Sequence, residues 1–165
     1  MKIRRMICLV LVVALTSVWL TACAKEESAG DTYEKYTSIA ANTDGIVAIP
    51  TEGITSAARF FNYDANGVTV QLVALRDREN GVHIAFNTCQ SCSPSPRAYY
   101  TQSGNVLKCA NCGFTFEPEE VGITQGGCNP WPIVGFAVGE AEITLPVTSI
   151  EEMSTVFSSW KGPTE

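Results

Sequence analysis

The chain has 165 residues, 11 basic and 17 acidic side chains, one histidine and a formal net charge of −6. That length suits one domain with its own core and is short for two. A net negative surface repels a phosphate backbone, which argues against nucleic acid as a partner.

The chain opens with Lys2, Arg4 and Arg5, followed by an apolar run of 14 residues over 7–20. The run is too short to span a hydrocarbon core, which takes roughly 20 residues, and its basic start marks an export signal. Leu20-Thr21-Ala22-Cys23 follows at once and resembles the lipobox of bacterial lipoproteins, in which the cysteine is acylated after cleavage. Residues 1–22 are thus expected to be a signal peptide, and Cys23 the lipidation site on the extracytoplasmic face of the cell membrane. Several acyl chains anchor a protein stably where one is marginal. Removal of the signal leaves 143 residues with 8 basic and 17 acidic side chains. Arg4-Arg5-Met6-Ile7 loosely resembles a twin-arginine export sequence, although Ile3 stands where Ser or Thr is usual. An ordinary signal with two adjacent arginines is the favoured explanation of the pair.

Residues 23–45 are polar and read as a tether, with a short helix expected over 33–41. From Ile46 onward, short apolar runs broken by turn residues point to a mainly β domain over 46–165. Strands are expected over 59–63 and 68–75, joined through Asn66-Gly67, a pair suited to a type I′ turn. Val68, Val70, Leu72 and Ala74 alternate onto one face of the second strand. A strand over 82–86 follows a second Asn-Gly pair, Asn80-Gly81. Its His83 points away from Val82 and Ile84 and reads as a solvated histidine rather than a ligand. Further strands are expected over 98–101 and 105–108, around Ser103-Gly104, then over 114–117 and 140–147. Glu117, Glu119 and Glu120 read as solvated surface. At the end, Ser149 and Glu152 have the spacing of a capping box. Ile150, Met153, Val156 or Phe157, and Trp160 then recur at helical spacing, up to Gly162-Pro163.

Seven cysteines are present; Cys8 is expected to leave with the signal and Cys23 to carry the lipid. The pairs Cys89-x-x-Cys92 and Cys109-x-x-Cys112 are separated by 16 residues. Two thiols three positions apart on a tight knuckle can aim at one point, and a hairpin can bring a second knuckle alongside. That spacing suits a zinc ribbon, and an iron–sulfur cluster needs the same four thiolates. Two local disulfides are the alternative, but such short loops are strained and reducible. No helix follows either pair, which argues against a thioredoxin-type dithiol. Cys128 lies in Gly126-Gly127-Cys128-Asn129-Pro130, where it is either an auxiliary ligand or resolving thiol, or a small buried hydrophobe.

Two resemblances attach to these residues. A strand ending in Cys89-Gln90-Ser91-Cys92, a hairpin, the second knuckle and a late strand over 140–147 look like a Rieske-type domain. Each Rieske loop supplies one Cys and one His, whereas here Cys92 and Cys112 occupy the partner positions. The two knuckles together with residues 126–130 are similar to the FtrD-like membrane iron–sulfur family, over about residues 56–147. That resemblance implies an iron–sulfur cluster on Cys89, Cys92, Cys109 and Cys112, with Cys128 as an auxiliary. It also implies a non-enzymatic role in electron transfer or metal handling beside a membrane iron-uptake system. Family members often carry several membrane spans, which a lipid anchor would replace here, and this speaks against a direct share in transport. The rival expectation is a structural zinc module in a binding or scaffold subunit.

Overall fold

The computed structural model describes residues 33–165, so the expected signal peptide, Cys23 and the first part of the tether lie outside the described residues. In chain order the strands are β1 (Tyr36–Ile39), β2 (Ile46–Pro50), β3 (Arg59–Ala65), β4 (Val68–Arg76), β5 (Val82–Cys89), β6 (Tyr100–Ser103) and β7 (Val106–Cys109). They continue with β8 (Thr115–Phe116), β9 (Pro130–Trp131), β10 (Ala137–Val138) and β11 (Glu142–Pro146), and two short helices follow, α1 (Val147–Glu151) and α2 (Ser154–Phe157). The fold is therefore mainly β, as expected.

A five-stranded sheet, in the order β1-β3-β4-β5-β9, is the spine. Its β3–β4 hairpin turns at Asn66 (φ 55°) and Gly67 (φ 87°), the two positive angles that a type I′ turn demands. The Asp64 carboxylate accepts from the Gly67 N–H at 2.6 Å and fixes that turn. Along β4, Val70, Leu72 and Ala74 enter one apolar cluster while Val73 and Leu75 enter another. The spine is thus buried on both faces, which the alternation in β4 does not reveal.

The first face is covered by the sheet β10-β11-β2 and by both helices. Val47, Ile49, Ile143, Leu145, Ile150 and Phe157 meet Leu72 and Phe86 there. Each such side chain contributes about 1.5–3 kcal/mol on full burial. The second face is covered by the sheet β6-β7-β8, where Tyr100, Leu107 and Phe116 pack on Phe60, Val73 and Leu75. Both Cys89 and Cys109 belong to this second cluster.

A line of amides crosses the spine. Asn87 donates to Gln71 Oε1 at 2.6 Å, and Gln71 donates to Asn62 Oδ1 at 2.7 Å and to the Pro163 carbonyl at 2.8 Å. Asn87 Oδ1 accepts from the Tyr100 N–H at 2.8 Å, so the line ties the cysteine-bearing hairpin to the C-terminal tail. No buried side-chain polar atom among the described residues lacks a partner.

Three expectations are corrected. The helix expected over 33–41 is replaced by β1, which pairs in parallel with β3 and stacks Tyr36 on Phe60 at 5.2 Å between ring centres. The tertiary pairing and this ring contact outweigh a weak local helix preference. Ser149 does not cap a helix. Helix α1 already starts at Val147, after an extended Pro146, and Ser149 Oγ donates to the Val134 carbonyl at 3.0 Å. The continuous helix becomes two short ones, yet Ile150, Met153, Phe157 and Trp160 are all buried as their spacing implied.

His83 is the third correction. Its ring contacts Asp77 Oδ2 at 2.7 Å, and both side chains are close to nine-tenths buried. The turn 77–81 folds back over the strand face that the sequence left to solvent, and Asp77 Oδ1 also takes the N–H groups of Glu79 and Gly81.

Candidate metal centre

Strand β5 ends at Cys89 and β7 ends at Cys109, so each knuckle starts where a strand stops. The knuckles close alike: Ser93 N–H donates to the Cys89 carbonyl and Gly113 N–H to the Cys109 carbonyl, both at 2.9 Å. They also dock on shared backbone. Cys89 N–H donates to the Ala98 carbonyl at 3.0 Å, and Ala110 N–H donates to the Tyr99 carbonyl at 2.8 Å. Ser95 Oγ bridges directly to Asn111 Oδ1 at 2.8 Å, linking the loop after the first knuckle to the second knuckle.

A third loop completes the site. Gly126 and Gly127 both have positive φ, 80° and 65°, a conformation that side chains disfavour. They let the loop lie flat on the first knuckle, where Gln90 N–H donates to the Asn129 carbonyl at 3.2 Å and Ser91 N–H to the Gly127 carbonyl at 3.1 Å. Gln90 Oε1 accepts from Gly126 N–H at 2.9 Å. The Cys128 carbonyl accepts from the buried Tyr100 hydroxyl and from Cys89 Sγ. Cys128 is then followed by β9, whose Pro130 stands opposite Cys89.

The outcome is a compact group of sulfurs. The Sγ atoms of Cys89, Cys92, Cys112 and Cys128 all lie within 4.8 Å of one another. Cys109 stands beside them, its Sγ 3.9 Å from that of Cys92. All five cysteines are free thiols. Metal–sulfur bonds of about 2.3 Å in a tetrahedron put the sulfurs about 3.8 Å apart, so this donor set fits a thiolate-bound metal. Three of the four expected ligands thus fall in the four-sulfur group together with Cys128, while Cys109 adjoins it. His83 is not among its members.

Burial dominates the thiol chemistry. It pushes Cys92 up to about 11, Cys109 to about 12 and Cys128 to about 11. Burial also works against ionisation of Cys112. Its pKa is nonetheless held below the ordinary value by hydrogen bonds from the Phe114 backbone and from the thiols of Cys109, Cys92 and Cys128. Without a metal, the donors therefore converge on one sulfur. A metal must displace their protons, which ties its affinity to pH. Tyr100 is likewise pushed far up, first by burial and then by Cys89.

Cys112 is the exposed member of the group, and Phe114 beside it is 62% exposed. The acidic run keeps to the surface, as expected. Glu117 meets Arg78 at 3.3 Å, and Glu120 closes a single turn of 3-10 helix by accepting from the Glu117 N–H. Sequence reasoning missed the roles of Tyr100, Gln90 and Asn111. Only the paired glycines ahead of Cys128 gave a local sign that this loop is shaped to approach another segment.

A small β domain that gathers thiols from two knuckles and a glycine-bearing loop onto one point has a donor set that could hold a metal. The chain belongs to the FtrD-like family: residues 54–157 match the family described as membrane iron-sulfur containing protein FtrD-like. The matched span holds all five cysteines of the site. No curated protein and no solved structure matches, so the Rieske-type resemblance rests on the sequence. Among the described residues, no helix is long and apolar enough to cross a membrane.

Proposed function

We propose that the protein is a lipid-anchored iron–sulfur protein of the extracytoplasmic membrane face. It would carry electrons, or handle metal, for a membrane iron-uptake partner. The observation behind this reading is the match of residues 54–157 to a membrane iron–sulfur family, a span that holds the whole group of thiols, one of them at the surface. The surface position of Cys112 gives a partner a short path to the centre. The thiolates of the site, Cys89, Cys92 and Cys112 among them, would hold the cluster, which would supply one-electron chemistry, while the apolar packing on Cys89 limits water. Anchoring falls to Cys23, whose replacement by Ala is expected to release the protein from membranes or block its processing. Unchanged size and membrane fractionation would remove the anchor from the account.

The redox role has its own test. Protein purified without air from its native host is expected to be coloured, to bleach on reduction and to recover on oxidation. A colourless, redox-silent protein contradicts it.

A second reading is structural zinc in a binding or scaffold subunit. The compactness of the sulfur group favours it, because the spacing suits a single tetrahedral ion. Zinc has no accessible redox couple, so the same experiment separates the two readings.

A further inference from the structure

The five thiols of the site outnumber the four that a tetrathiolate centre uses, and their positions are not equivalent. Cys89 and Cys92 come from the first knuckle, Cys112 from the second and Cys128 from the glycine-bearing loop. These four sulfurs are mutually within 4.8 Å. Cys109 is buried beside Leu107, Tyr100 and Phe116, and its sulfur touches the group at Cys92, 3.9 Å away, and at Cys112, without joining the four that are mutually within 4.8 Å.

We infer that the ligands are Cys89, Cys92, Cys112 and Cys128, so that the second knuckle gives one thiol and Cys109 is a fifth, non-ligating one. The inference rests on the reading of a metal centre above and names its donors. Its second support is the construction of the loop. Two successive glycines with positive φ, three hydrogen bonds to Gln90 and Ser91, and the Tyr100 hydroxyl on the Cys128 carbonyl together hold Cys128 over the first knuckle. A thiol serving only as a small hydrophobe needs none of this. Cys109 ends β7 opposite Tyr100 in the same apolar cluster as Cys89, but its sulfur lies outside the four that are mutually within 4.8 Å, and a thiol can fill such space without metal. The consequence is that metal staples the loop 126–129 to a knuckle that lies 34 or more residues earlier in the chain. Each bound thiol gives up its proton to solvent as the ion enters.

Cobalt(II) tests this whatever the native metal is, because a tetrathiolate cobalt site has an intense, diagnostic visible spectrum. The full acylated chain, held in detergent without air and stripped of metal, is titrated with cobalt(II). Wild type, Cys109→Ser and Cys109→Ala are expected to bind one ion per chain with the same tetrathiolate spectrum, and Cys128→Ser is expected to lose that spectrum. Near-UV dichroism confirms that each variant is folded. A wild-type spectrum in Cys128→Ser overturns the inference, whether or not Cys109 proves necessary. Loss of the spectrum in a folded Cys109→Ala also overturns it. If both Cys109 variants fail to fold, cobalt anomalous scattering from crystals of the wild-type protein decides, by showing which four sulfurs lie at bonding distance. Wild type that binds no cobalt sinks the metal-centre reading itself, a result distinct from a bound ion with other ligands.

Discussion

The two faces of the central sheet are held by different means. On the first, Val47, Ile49, Leu72, Ile143, Leu145, Ile150 and Phe157 form a cluster with no cysteine in it. On the second, the apolar cluster contains Cys89 and Cys109 and is flanked by Cys92 and Cys128. Its covering layer is also thin, since β8 has two residues and the knuckles are loops. The first face is held by burial alone, while the second adds to burial the backbone and side-chain hydrogen bonds that gather its thiols. One domain can in this way keep a stable scaffold and still tie part of itself to a ligand.

Metal removal should break this comparison hardest. Structural zinc binding to zinc-finger peptides is worth about 10–16 kcal/mol at neutral pH, and a fraction of that is large against a domain's total stability. Chelation should strip hydrogen-exchange protection from residues 89–92, 109–113 and 126–129. Protection in β2, β4 and β11 should persist. Equal loss on both faces, followed by amide exchange, would mean that they are not separable.

Paired core truncations sharpen the contrast. Leu72 and Leu75 are both fully buried on β4 but face opposite clusters. Each change to Ala should cost about 2–5 kcal/mol in denaturant unfolding. The cost of Leu72→Ala should be the same with and without metal, whereas Leu75→Ala should also weaken metal binding.

Much of the spine was legible in the sequence, because alternation in β4 and the Asn66-Gly67 turn are local signals. What the sequence withheld was long-range. Strand β1 is polar and short, and only its pairing with β3 makes it a strand. Alternation in β5 leaves His83 on a free face, and nothing local shows that Asp77 folds back onto it. The knuckles announced themselves by spacing, but the approach of Cys128 depends on the loop 126–129 folding back onto the distant Gln90 and Ser91.

The amide line probes the join between the faces at smaller amplitude. Asn87→Ala leaves the Tyr100 N–H and Gln71 Oε1 short of a partner, and should cost about 1–3 kcal/mol. Denaturant unfolding measures it, and a neutral result would show that water or a neighbour replaces the amide.

The smallest effect concerns the turn over β5. The hydrogen bond from His83, followed by the backbone N–H groups of Gly81 and Glu79, holds the Asp77 carboxyl below its usual range. A depressed carboxylate contributes stability above its unfolded pKa of about 3.9, and that contribution is lost as pH falls toward the folded value. Asp77→Asn should therefore be less stable at neutral pH and lose less stability on acidification. Parallel stability–pH curves for the two proteins would remove His83 and Asp77 as a paired unit.

The central claim is that the thiol group holds an iron–sulfur centre. Quantifying iron, acid-labile sulfide and zinc in the protein purified without air from its native host tests it most directly. Iron and sulfide present together, with zinc absent, is the result the account predicts. One zinc per chain with neither iron nor sulfide would contradict it and leave the second face of the sheet with a structural staple.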